Sequence, residues 1–291
     1  MKLNTFYNTL RRRLFRREIL YAMLLSFFIM IISFLVEASL EIRTLLQDIH
    51  DLDLYYPELG LFSTEAAERL KTYLLENSVS QAFSFFIFME DGYIIYNFIA
   101  NFIITLPILM FFEDRQNGTE QLIALRTGTG SYLVLEATAI CLTVGVLVLV
   151  PSILFWGITY LFAPYKFPLS QSFVPDSISF FQILGLEKNV AWKYLALIIL
   201  NSMMLMSKAF LTFTLSLRIH KKAVILFIPI LFSYAFQTIC IMLGCSDYGK
   251  ISYFDSMIKT LAPMFVSMII PLLLSAGILY LTNVKERSLN E

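Results

Sequence analysis

Charge is what this chain has least of. Only 15% of its 291 residues are Asp, Glu, Lys or Arg, and the 22 basic and 22 acidic residues cancel. No bulk electrostatic attraction for nucleic acid exists in such a chain. Histidine is scarcer still. His50 and His220 lie far apart in sequence, one outside and one in an inner turn, so no histidine pair can hold a metal within the membrane. The three cysteines imply no disulfide framework: Cys141 and Cys240 fall inside apolar runs as small core residues, and Cys245 stands alone at an outer mouth. Catalytic motifs are missing as well. There is no Gly-x-Ser-x-Gly, Cys-x-x-Cys or His-Glu-x-x-His, and no Gly-x-x-x-x-Gly-Lys-[Ser/Thr] with which to bind ATP. Asn117-Gly118-Thr119 fits the glycosylation pattern but falls on the side assigned below to the cytoplasm.

What is present is apolar. Hydrophobic residues make up 58% of the chain and the mean hydropathy is +0.71, which excludes a soluble globular domain. The fold class is all-α, a polytopic membrane protein with six transmembrane helices. The expected spans are residues 19–38, 92–112, 132–162, 192–215, 223–243 and 261–282, each at or above the roughly 20 residues that a bilayer core requires. The first lies behind a basic segment, as in a signal peptide, but is too long and lacks a small-residue cleavage site. It reads as a retained span.

Residues 1–18 place Leu3, Phe6, Leu10 and Leu14 on one helical face, with Arg11, Arg12, Arg13, Arg16 and Arg17 crowded toward span 1. That pattern predicts an interfacial elbow helix, its stripe in the acyl boundary and its arginines at anionic lipid head groups. After span 1, Ile42, Leu45, Leu46, Ile49 and Leu52 keep a helical spacing until Tyr55-Tyr56-Pro57, which is expected to end the helix. A second amphipathic helix is expected from Ser63 or Thr64, carrying Ala67, Leu70 and Leu74, so that residues 39–91 form a small acidic ectodomain. Pro107 predicts a kink near the inner end of span 2, and Pro151 lies beyond the midpoint of span 3. Residues 163–191 form a proline- and aromatic-rich outer loop, 216–222 a basic inner turn, 244–260 a short outer segment and 283–291 a tail. Lysine and arginine crowd the N-terminus, residues 113–131, the 216–222 turn and the tail, which orients both termini to the cytoplasm. The expected location is a plasma membrane, in a bacterial cell.

The polar stretch between spans 2 and 3 is longer than a reversal of direction needs. Within it, residues 120–126 can form an amphipathic helix, with Leu122, Ile123 and Leu125 opposite Glu120, Gln121 and Arg126. Glu113 followed by Gly118-Thr119 and Leu122 resembles the Glu-x-x-x-x-Gly-Thr-x-x-Leu pattern that precedes the third span in type-2 ATP-binding-cassette permeases. The six spans, the basic N-terminal helix and the topology are similar to that family over essentially the whole chain. The chain departs from it in having Thr127-Gly128-Thr129 where the family often has proline, and Glu136 where it often has a lysine. Its outer segment before span 6 has room for one small re-entrant helix only. The resemblance implies a permease subunit of an ATP-driven exporter. Glu113, Gly118, Thr119, Leu122 and Arg126 would belong to a coupling helix that docks on a separate cytosolic nucleotide-binding ATPase. It implies a second permease chain, identical or related, and no cofactor on this chain, with ATP and Mg on the ATPase. The aromatic-rich spans suit an amphipathic peptide, lipid or drug-like cargo.

Ionisable residues inside spans are functional candidates. Glu136 and Lys208 both fall in the inner half of the bilayer and would pair if spans 3 and 4 are adjacent; otherwise each reaches the inner interface. Asn97, Asn101 and Thr105 share one face of span 2, lining a pathway or bonding neighbouring helices. Two other readings stand beside the exporter. One is a membrane sensor or assembly protein acting through its ectodomain. The other is an ion-coupled carrier using Glu136 and Lys208.

Overall fold

In a bilayer, backbone N–H and C=O groups must pair within their own segment, so long apolar runs become helices. The structure is a computed structural model that describes residues 3–59, 72, 83–118, 129–163, 190–219, 221–245 and 262–288. Among these residues it is all-helical: α1 (Leu3–Leu14), α2 (Arg17–Leu59), α3 (Phe85–Asp91), α4 (Ile94–Ile103), α5 (Leu106–Gln116), α6 (Thr129–Phe162), α7 (Val190–Ser216), α8 (Lys222–Met242) and α9 (Ala262–Ser288). Among the described residues, six stretches are long and apolar enough to cross a membrane, namely Arg17–Thr44, Phe88–Gln116, Tyr132–Phe162, Ala191–Ser216, Lys222–Met242 and Ala262–Tyr280.

The span built from α3, α4 and α5 is segmented, and the cause is local. Proline at position 107 has no N–H to return to the preceding turn. The chain accordingly breaks at Ile104–Thr105 and restarts with Pro107 in the first turn of α5, where a missing N–H costs nothing. The Thr105 hydroxyl covers the Phe102 carbonyl at 2.6 Å. A second break falls at Gly92–Tyr93, where no Cβ fits: one built on Gly92 would lie 2.6 Å from both the Phe155 ring and the Phe88 carbonyl. The helices α6, α8 and α9 run unbroken through Pro151, Pro229 and Pro271. In each, a serine hydroxyl nearby (Ser152, Ser233, Ser275) donates to a main-chain carbonyl one turn back.

The helix α2 carries one correction to the sequence reading, at its far end. It is 43 residues long, about 65 Å at 1.5 Å per residue, roughly twice the bilayer core. It runs two residues past Pro57, to Leu59, rather than ending at Tyr55-Tyr56-Pro57. The helix expected from Ser63 or Thr64, residues 119–128 with Thr119, Leu122 and Arg126, most of the 163–191 loop and residues 246–261 lie outside the described residues.

Helix α7 is the centre of the bundle. It packs most extensively on α6 and α9 and also touches α5 and α8, while α2 lies across α4 and α6. The core runs between them through Tyr96, Ile140, Val144, Leu197, Leu205 and Phe213. Close approach of α6 and α7 uses Gly145, whose Cβ position faces the Met206 sulfur at 2.8 Å. The outward faces of α8 and α9 (Leu231, Ile239, Ile269, Leu273) are exposed and apolar, as lipid contact requires.

Candidate functional site

Two polar assemblies stand out against this apolar background. The first ties α1 to the inner ends of the second and third spans. Arg11, Arg12 and Arg13 occupy the last turn of α1, where cations are favoured by the helix dipole. Five residues, not one, were assigned to lipid head groups, and the structure separates them. Arg11 and Arg17 are exposed. Arg13 instead turns inward and is 1% exposed, among the largest fully buried side chains of the described residues.

Its partner is Glu136, which is 0% exposed. The Arg13 Nε donates to Glu136 Oε2 at 2.8 Å, and Nη2 completes the ion pair. Tyr132, one helical turn before Glu136 and so on the same face, donates its hydroxyl to Oε1 at 3.0 Å. Two further contacts hold the guanidinium. Its Nη1 reaches the Pro107 carbonyl at 3.4 Å, and its carbon lies 5.7 Å from the centre of the Phe111 ring, within cation–π range. Glu136 therefore neither pairs with Lys208 nor reaches the interface. A nearer cation on α1 neutralises it, a contact that separation in sequence concealed.

Around this buried pair lies a more solvated layer. Asp114, near the end of α5, accepts from Arg16 Nη2 at 2.9 and 3.0 Å and from Arg12 at 3.2 Å. Glu113, its neighbour, accepts from Lys222 Nζ at 2.8 Å, with both side chains about half exposed (52% and 48%). Arg115 Nη1 donates to the Leu217 carbonyl at 3.3 Å. Three consecutive residues of α5 thus fasten it to α1 on one side and to the turn between α7 and α8 on the other. Immediately beyond, Gly118 has φ +72°, a left-handed conformation that costs other residues about 1–2 kcal/mol. Among the described residues, no atom beyond its chain neighbours lies within 4 Å of where its Cβ would stand, so the φ angle is the reason found for glycine there.

No family model, curated protein or solved structure matches this chain. The chemistry of its own residues therefore carries the functional argument.

The second assembly is a polar strip through the middle of the bundle. The Asn201 amide Nδ2 donates to Asn97 Oδ1 at 3.2 Å, joining α7 to α4. One turn along α4, the Asn101 amide donates to the Asn97 carbonyl at 2.9 Å. Ser233 of α8 sits 3.4 Å from Asn101 Oδ1 and accepts from Lys208 Nζ at 2.9 Å. All five residues are more than nine-tenths buried. Asn97 and Asn101, expected on one face of span 2, both meet polar partners on other helices. Thr105 bonds locally instead.

Asp114, Tyr132, Asn201 and Ser233 were not singled out from sequence. For Asn201 a signal exists: it stands seven residues before Lys208, two turns along one helix face. Among the described residues, no cluster of three His, Cys, Asp or Glu is placed to hold a metal.

Proposed function

We propose that this chain is the membrane-spanning subunit of an ATP-driven ABC exporter. It works as a dimer with an identical or related chain in a bacterial plasma membrane, with both termini in the cytoplasm. A separate cytosolic subunit binds ATP and Mg and hydrolyses the nucleotide. The segment 113–131 is the element on which that subunit docks, and the cargo is amphipathic.

One observation carries the reading: the described residues at either end of the segment between the second and third spans are tied to the bundle. Asp114 binds Arg12 and Arg16 of the N-terminal arm, and Glu113 and Arg115 bind the α7–α8 turn. At its far end, Tyr132 and Glu136 close on Arg13. A push on this segment is therefore transmitted to α1 and to the inner ends of four spans, which is what coupling ATP hydrolysis to transport requires. A loop that merely reversed direction would need none of these ties. Gly118 supports the reading by setting a sharp turn at the entry to the amphipathic stretch. The ion-coupled alternative is weakened because Glu136 already has its counterion in Arg13.

The test is capture from native membranes with a tagged chain, comparing wild type with Gly118→Pro plus Thr119→Arg. An ATPase subunit retained by the wild type and lost from the variant is expected. Retention by neither, from membranes in which the chain is intact, rejects the exporter reading.

A further inference from the structure

We infer that Lys208 and Asn201 form the two ends of a cargo-binding strip that holds a carboxylate at Lys208 and a hydrogen-bond donor at Asn201, as the C-terminal end of a peptide chain would supply. The inference deepens the exporter reading and rests on it for the word cargo; the binding itself does not.

Start with the charge. An ammonium has three N–H donors, and Lys208, 5% exposed, has one neutral hydroxyl, Ser233, as its side-chain partner. Among the described residues no carboxylate pairs with it. A charge at membrane depth without a counterion is costly and marks a site. The contrast with Glu136 is informative. Where the bundle needs a buried charge for its own architecture, it supplies the counterion itself through Arg13. At Lys208 no described carboxylate does so, and in this proposal the cargo supplies the anion.

The second observation is independent. Asn201 is 1% exposed, and among the described residues its Oδ1 is a buried acceptor with no hydrogen-bond partner. Such an atom costs free energy until a donor arrives. Lys208 and Asn201 are two turns apart on α7, about 10 Å along its axis. An inorganic anion or a fatty acid satisfies only the lysine. In an extended peptide, at roughly 3.3–3.6 Å per residue, the third amide N–H from the end lies about 10 Å from the terminal carboxylate. Both ends are then filled at once. Beside the strip, the α4–α5 break follows Asn101 by three residues, so one wall is a backbone irregularity able to yield.

The test uses the full chain in nanodiscs of zwitterionic lipid, with no ATPase present. The probe is N-dodecanoyl-trialanine, compared with its methyl ester, dodecanoate and acetate. The acid is expected to bind at least about tenfold tighter than the ester. That preference should vanish in Lys208→Met and survive in Lys208→Arg. Asn201→Leu should weaken the acyl peptide about fivefold, toward dodecanoate, without moving dodecanoate itself. Equal binding of acid and ester by the wild type overturns the site, as does a preference kept by Lys208→Met. Dodecanoate or acetate binding as tightly as the acyl peptide overturns the two-point assignment. Lys208→Met removes a buried charge without removing bulk, so its fold is expected to survive. Melting and gel filtration verify this, and Lys208→Arg reads the same acid-to-ester ratio independently. Loss of ATPase capture would leave this result untouched, and failure here would leave capture untouched.

Discussion

Replacing Glu136 with glutamine tests the buried ion pair that holds α1 to the bundle. The substitution keeps the shape and leaves a carbonyl for Tyr132, but it removes the counterion of a guanidinium that is 1% exposed. Breaking a buried pair on one side typically costs 3–5 kcal/mol, because the surviving charge is stranded. Here Arg13 retains the long hydrogen bond to the Pro107 carbonyl and the Phe111 ring, which offset part of the loss. The lower end, about 3 kcal/mol, is the expected figure. The cost falls on the docking of α1, since Arg13 alone among the described side chains of that helix is fully buried. Hydrogen–deuterium exchange of the α1 amides reads it directly: opening should rise on the order of a hundredfold in Glu136→Gln, at 1.4 kcal/mol per tenfold. Adding Arg13→Met removes the stranded charge and should recover most of the protection. Exchange within about threefold of wild type in Glu136→Gln, or a double variant as open as the sum of the two singles, would refute the pairing as the anchor.

Two further outcomes follow from the same geometry. Asp114→Asn removes partners that are partly exposed, with Arg12 at 41% and Arg16 at 27% side-chain exposure. It should loosen α1 by no more than about 1 kcal/mol, and the difference should disappear in 1 M salt, as α1 exchange at two ionic strengths would reveal. Gly92→Ala forces a methyl against Phe155 and the Phe88 carbonyl, an overpacking cost of about 1–3 kcal/mol. A lowered melting temperature is expected, with partial recovery on pairing it with Phe155→Leu.

The six spans were legible because a bilayer leaves so few options: an apolar run of sufficient length is a helix wherever it stands. Pro107 likewise announced the break in the second span, since a missing N–H acts locally. Contacts across the chain were not legible in the same way. Arg13 is one of five arginines in seven residues, and nothing in that run says which one turns inward. That depends on where α6 crosses α1, which places Glu136 beside the third of them. Glu136 is anomalous in the sequence, but both readings of it, pairing with Lys208 or reaching the inner interface, miss Arg13, which is distant in sequence and near in space. Pro57 misled for the opposite reason. Its restriction on the preceding residue is a bias, and a 43-residue helix with strong local periodicity overrides it. The pairing of Asn201 with Asn97 required knowing that α4 and α7 are neighbours, although the two-turn spacing from Lys208 was present in the sequence.

The central claim is that the segment between the second and third spans touches an ATPase, and site-specific photocrosslinking tests it most directly. A photoreactive residue at Leu122, in the full chain in its native membrane, is predicted to form an adduct with a protein whose peptides include a Gly-x-x-x-x-Gly-Lys-[Ser/Thr] loop. The same probe at Leu273, on the lipid-facing side of α9, should not. An adduct at Leu122 with proteins lacking such a loop, or no adduct from correctly inserted chain, would contradict the account.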